Sequence, residues 1–180
     1  MIYAFFNEKS AFFGLVTRVH RHVSENAGYK EYNEKSSIYG SSDTSWSSCS
    51  LRMWLNGTFL NNAFSNEEQN MILSLMVNSD KNPKYGTSSG KDTLDKVFLL
   101  SVTELNNYFE SSKERICYPT KFAKTLNNSC FSEGEWWLRT PGRTLSEAAH
   151  IYINGEMFSK YVGESIGVRP SLWVNTDSLR

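Results

Sequence analysis

Two arginines lie in nearly matching surroundings, Arg139 within WWLRTPG (136–142) and Arg169 within GVRPSLWV (167–174). A guanidinium reads carboxylate, phosphate or carbonyl oxygens through a planar fork of donors, and a tryptophan offers a flat face for stacking. Together Trp136, Arg139, Arg143, His150, Tyr152 and Arg169 form the densest mixture of aromatic faces and donors in the chain. They are the residues expected to hold a ligand, and the chemistry they suggest is recognition of a sugar, a carboxylate or a peptide backbone. The competing reading, and the favoured one for the arginines, is architectural. Each guanidinium would then fix a sheet end by bonding loop carbonyls or a carboxylate such as Glu133, Glu135, Glu147 or Glu164. Trp137 and Trp173 are expected in the core, whereas Trp136, one residue out of phase with Trp137, points to the opposite strand face, where it could stack on a ligand.

Catalysis finds less support. A Ser-His-Asp or Cys-His site needs a base within hydrogen-bond reach, and the only histidines are His20, His22 and His150. The sequence has no GxSxG elbow and no HExxH pair. His20 and His22 would share one face of a strand and could start a metal site, but no third ligand is identifiable. Cys49, Cys117 and Cys130 form no CxxC and are expected as reduced thiols, with a Cys117–Cys130 disulfide as the alternative. Asp92 and Asp95, near Asn78, Asp80 and Asn82, could supply oxygens to calcium, yet their spacing matches no EF-hand loop and solvated carboxylates are expected. The expectation is therefore no cofactor, with calcium as the alternative, and no catalytic residue. An unrecognised acid/base site among Glu133, Glu135, His150 and Arg139 is the alternative.

Charge and composition narrow the partners. The 180 residues carry 19 basic and 19 acidic side chains, so nothing steers the chain toward phosphate backbones or anionic lipid, and no nucleic acid partner is expected. The N-terminal MIYAFFNEKSAFFGLV is interrupted by Asn7, Glu8 and Lys9 and reads neither as a signal peptide nor as a membrane span. The chain as written is expected in the cytoplasm, with no membrane insertion; the extracellular space or cell surface is the alternative. Aromatic residues at 14%, with abundant Asn and Ser, lean toward a binding protein built of strands and loops.

These side chains need elements to position them. Strands are expected within Ala11–Val19, followed by a polar loop from Gly28 to Ser50. Leu51, Trp54, Leu55 and Phe59 recur at helical spacing, with Ser48 or Ser50 as N-cap. Ser65 to Glu68 is a capping box opening a second helix through Met71, Ile72, Leu75 and Met76. Lys96–Leu100 reads as a buried strand, and Ser101 to Glu104 as a second capping box, opening a helix through Leu105, Tyr108 and Phe109. A further short helix is expected from Pro119 and Thr120 through Phe122. Trp136–Arg139 is strand-like, and Thr140–Arg143 matches a type II turn. Asn154-Gly155 between Ala148–Ile153 and Glu156–Val162 is a hairpin signal. A last strand, Gly167–Val174, has Pro170 at an edge or bulge. Antiparallel strands following a helical half give the class α+β.

WWLRTPG, AAHIYINGEMF and GVRPSLWV, preceded by CSLRMWLNGTFLNNAFS and DKVFLLSVTEL, resemble the uncharacterised bacterial family called domain of unknown function 6273, from about Tyr32 to Val174. In motif order the chain is more distantly similar to the C-type-lectin-like fold of formylglycine-generating enzymes and of the variable receptor-binding proteins of diversity-generating retroelements. The resemblance implies 1–28 as a diverged or partial N-terminal segment, 29–176 as a single C-type-lectin-like domain and 177–180 as a tail. It does not imply formylglycine-generating activity, because Pro170 stands where those enzymes place a reactive cysteine. The expected function is a non-catalytic binding or interaction module for a glycan or protein ligand. An enzyme with an unrecognised site and a structural accessory domain without its own ligand are the alternatives.

Overall fold

The computed structural model describes residues 2–3, 29–31, 45–118 and 134–175 of the chain. Two short strands come first, β1 (Ile2–Tyr3) and β2 (Tyr29–Glu31). Leu51, Leu55 and Phe59 are all buried, and their spacing carries the chain through α1 (Ser50–Trp54), a π-helical turn (Leu55–Phe59) and α2 (Leu60–Ala63). The serine cap expected at Ser48 or Ser50 does not form. Cys49 holds the N-cap position without a capping side chain, and Ser50 is already helical. Within the π-helical turn Asn56 substitutes for a neighbouring strand: its Nδ2 donates to Val97 O at 2.8 Å, and its Oδ1 accepts from Lys96 N at 2.9 Å and Val97 N at 3.1 Å.

Both capping boxes form as expected, the first opening α3 (Asn66–Met71) from Ser65 and Glu68. This helix stops at Met71 instead of continuing through Leu75 and Met76. Ile72 is extended, Leu73 N donates to Trp173 O at 2.8 Å, and Leu75–Val77 becomes β3, paired antiparallel with β4 (Thr93–Asp95). The apolar period does continue past Met71, but backbone partners from distant parts of the chain override it. After β5 (Val97–Phe98), Ser101 and Glu104 cap α4 (Val102–Tyr108), and α5 (Ser112–Arg115) follows. The helix expected from Pro119 and the strands expected in Ala11–Val19 lie outside the described residues.

The remaining strands are β6 (Trp136–Pro141), β7 (Glu147–Ile151), β8 (Met157–Tyr161), β9 (Ser165–Gly167) and β10 (Ser171–Val174). Five strands make one sheet in the order β2-β9-β6-β7-β8; β1-β10-β5 make a second, and β3-β4 a third. The class is α+β, as expected, but the C-terminal strands are not one antiparallel sheet. β6 and β9 run parallel through Trp136 and Gly167, and β10 leaves for the second sheet. Pro170 lies at the break, where it has no N–H to offer a ladder. Gly167 is required where β9 meets β6: its N donates to Glu135 O at 3.0 Å, and a Cβ there would stand 2.5 Å from the same oxygen.

Two turns refine the expectations. Gly142 lacks the left-handed backbone that a type II turn demands of its third residue. β6 continues through Pro141, and the reversal falls at Thr144–Glu147, closed by Glu147 N to Thr144 O at 3.1 Å. The second hairpin does turn at Asn154-Gly155, but through a longer loop. Gly155 N donates to Tyr152 O at 2.9 Å, Tyr152 N donates to Glu156 O at 2.8 Å, and Gly155 takes φ +80°, the arrangement of a turn followed by a glycine bulge. Ile153 is therefore on the turn and exposed.

β6 sits at the centre of the packing, buried along its full length. Leu51, Leu55, Phe59, Val97, Leu99, Leu105, Trp137, Leu138 and Ile151 make one continuous core between the helical half and the large sheet. A polar knot stitches its edge. Buried Asp95 accepts from Trp46 Nε1 at 2.9 Å, Thr93 Oγ1 at 2.6 Å and Arg52 Nε at 2.8 Å. Asp95 is thus not the solvated loop carboxylate expected from the sequence. Its oxygens are already occupied by donors, while Asp92, in the loop, accepts from Ser79 N at 2.7 Å.

Candidate functional site

The six residues singled out in the sequence are divided among four surroundings. Arg139 is buried and its donors are engaged. Nη2 donates to Glu104 Oε1 at 2.9 Å and Nη1 to Glu104 Oε2, Nη1 also reaches Leu99 O at 2.7 Å, and Nε and Nη2 reach Asn78 O at 3.3 and 3.2 Å. The carboxylate is none of those expected for it. Glu104 reaches Arg139 because the same side chain caps α4, accepting from Ser101 N at 2.9 Å. Arg143 is exposed beside the reversal, its Nε 3.9 Å from Glu147 Oε2.

Trp136 and Arg169 do meet, with the guanidinium carbon 4.9 Å from the indole ring centre. Trp136 lies opposite to Trp137 in phase, yet it is buried: Arg169 stacks both on its ring and on that of Phe109, the residue after α4, and Arg115 O, at the end of α5, accepts from Trp136 Nε1 at 3.1 Å. The outer-face stacking platform expected at Trp136 is therefore closed.

His150 and Tyr152 belong to the other side of the sheet. Strand register places Trp137 opposite His150 and His150 opposite Phe158. The rings form a row: Trp137 to His150 at 6.1 Å, His150 to Phe158 at 6.3 Å, and Phe158 to Tyr152 at 5.9 Å. The row runs from the core to the surface, with Trp137 fully buried, Phe158 49% exposed and Tyr152 37% exposed. Beneath it Lys160 Nζ donates to Glu135 Oε2 at 2.6 Å, and His150 Nε2 lies 3.8 Å from that oxygen, too far to bond. Phe158 and Lys160 were missed in the sequence. Their signal is the alternation of Met157–Tyr161, which puts both in phase with His150 across the hairpin.

Burial pushes His150 from its ordinary 6.5 to about 4, against the opposing effect of Glu135; Lys160 pushes the same way as burial, and the Phe158 backbone weakly opposes it. The imidazole is therefore neutral near pH 7, and its Nδ1 is buried without a hydrogen-bond partner. A histidine protonated more readily in the unfolded chain makes stability fall with acid. The contribution is complete above pH 6.5, is lost as pH drops toward 4, and amounts to roughly 2–3 kcal/mol. Urea unfolding of the wild type at pH 7 and pH 4 is expected to show this loss, and His150→Phe to lack most of it. An equal acid loss in the variant would assign the pH dependence to other groups.

Chemically, the row offers aromatic faces, an ammonium and a neutral imidazole. Among the described residues no hydroxyl or thiol bonds to His150, so no activated nucleophile is assembled there. Cys49 Sγ donates to Trp46 O at 3.4 Å and Cys117 is a free thiol, and no group of three or more His, Cys, Asp and Glu side chains gathers as metal ligands among the described residues. Nor is any described helix long and apolar enough to cross a membrane. His20, His22, Cys130 and Glu133 lie outside the described residues.

Residues 17–176 match the family model described as Domain of unknown function (DUF6273). The chain belongs to this family. The match extends the resemblance read from Tyr32 to Val174 by fifteen residues at its N-terminal side and covers every described strand but β1. No curated protein and no solved structure matches the chain. In this DUF6273 domain the Trp137–His150–Phe158–Tyr152 row is a set of packed rings that runs from the core out to solvent.

Proposed function

We propose that this DUF6273 domain is a non-catalytic binding module on a C-type-lectin-like scaffold, taking its ligand on the Tyr152–Phe158 face of the β7–β8 hairpin. The scaffold reading rests on the order of a tryptophan–arginine strand, a hairpin and a Gly-Val-Arg strand, which is the order that motivated the resemblance. One observation carries the binding reading: two neighbouring aromatic rings stay open to solvent while the residues that would anchor them, His150 and Trp137, are fixed in the core. Such rings supply large, rigid contact area at low entropic cost. A glycan is the favoured class, because a sugar's C–H face stacks on an aromatic ring while its hydroxyls seek polar neighbours. Lys160, Asn154 and Glu156 supply these at the same hairpin.

The test is a glycan and peptide array probed with the purified domain. A glycan hit is expected, and Phe158→Ala and Tyr152→Ala are each expected to weaken it at least about tenfold while leaving the fold intact, since both rings are only partly buried. Unchanged binding by the double variant would rule out this face. Peptide hits alone would change the ligand class, and hydrolysis of any arrayed compound would bring the Glu135–His150 pair forward as an enzyme site. Silence across the array would leave a structural accessory role.

A further inference from the structure

Arg139 and Arg169 are built to opposite standards. The first has its guanidinium satisfied in the plane by a carboxylate and two carbonyls. The second has its plane stacked and its edges bare: the guanidinium carbon lies 4.9 Å from the Trp136 ring centre and 5.4 Å from that of Phe109, while buried Nη1 has no hydrogen-bond partner. Stacking engages the faces of a guanidinium and leaves its in-plane N–H groups available. No described carboxylate forms an ion pair with it.

A second buried donor without a partner belongs to a residue that contacts the same tryptophan through its backbone. Arg115, whose carbonyl holds Trp136 Nε1 at 3.1 Å, also has a buried Nε without a partner, and its Nη2 reaches only Asn106 Oδ1 at 3.2 Å. Arg115 is thus tied to the indole by its backbone carbonyl, while Arg169 is the cation that stacks on the ring with an unfilled buried donor. Buried donors are almost always paired, and an arginine cannot relieve its charge by deprotonating. Burial pushes the Arg169 guanidinium below its ordinary value, and the Cys117 thiol, acting the other way, is a neighbouring group that would itself favour the cation if ionised. A group able to satisfy such a donor is negative, planar or tetrahedral, and small.

We propose that Arg169 forms an oxyanion site beside Trp136 and Phe109, which takes a carboxylate or a phosphate-type group, free or at the end of a larger ligand. The in-plane donors of Arg169 would grip two oxygens, as Arg139 grips Glu104. This site is on the Trp136 side of the sheet and stands apart from the Tyr152–Phe158 face, so it does not depend on that face binding anything.

The probes are acetate, inorganic phosphate and sulfate, each titrated into the full chain by calorimetry at an ionic strength held constant with chloride. One saturable site is expected, and the probe that saturates it distinguishes a carboxylate ligand from a phosphate-type one. Arg169→Met keeps the apolar stem against the rings and removes the fork, and is expected to weaken binding at least about tenfold. Phe158→Ala should leave it unchanged, which separates this site from the glycan face. If Arg169→Met does not fold, the wild type labelled with 15N-arginine decides the matter, because the Arg169 Nη signals should shift with the same saturation curve. No saturation by any of the three anions, binding unaltered in a folded Arg169→Met protein, or Nη signals that stay fixed through the titration would each overturn the proposal.

Discussion

Replacing Arg139 by alanine should destabilise the domain by about 3–5 kcal/mol, the usual cost of removing one partner from a buried ion pair. The loss has several sources. Glu104 keeps its charge with its strongest partner gone, and the carbonyls of Leu99 and Asn78 lose donors at 2.7 and 3.2 Å. The strand β6 also loses a tie to α4, because Glu104 joins the helix cap at Ser101 to the centre of the sheet. Lysine at position 139 should recover only part of this, since one ammonium cannot fork a carboxylate and reach Asn78 O together. Urea unfolding of the two variants gives the numbers. If alanine costs less than about 1 kcal/mol while abolishing ligand binding, Arg139 belongs to a recognition surface and its architectural role is refuted.

That contrast also measures how far the sequence reaches. Local chemistry was legible: Ser65 with Glu68 and Ser101 with Glu104 close as capping boxes, and Gly155 turns a hairpin, because each depends on residues within a few positions. Long-range partners were not. Nothing near Leu75 reveals that it will pair with Asp95, so the helical period runs on in the sequence past the end of the helix. Nothing near Arg139 reveals that it will meet a carboxylate 35 residues away in sequence, nor near Arg169 that no described carboxylate will pair with it. The six candidate site residues were one cluster in sequence and became four surroundings in space, since strand alternation sends Trp136 and Trp137 to opposite faces. The open ring of Phe158 lay within reach of the same alternation, read from His150 across the hairpin.

Trp137→Ala tests the hinge between core and candidate surface. The indole is fully buried at the inner end of the aromatic row, and its removal should cost about 3–5 kcal/mol, the transfer term of a large ring plus a cavity that the surrounding strands only partly refill. A second effect follows from position. The ring packs edge-on to His150 at 6.1 Å, and burial is the main reason why that imidazole is held down to about 4. Opening a void beside it admits water, so the histidine in the variant should titrate nearer its ordinary 6.5, and the acid loss of stability between pH 7 and pH 4 should shrink accordingly. Urea unfolding at the two pH values reads both effects in one series. A variant that loses less than about 1 kcal/mol would place the indole at the surface. One that loses the full amount but keeps the wild-type acid dependence would show that His150 owes its neutrality to neighbours other than Trp137.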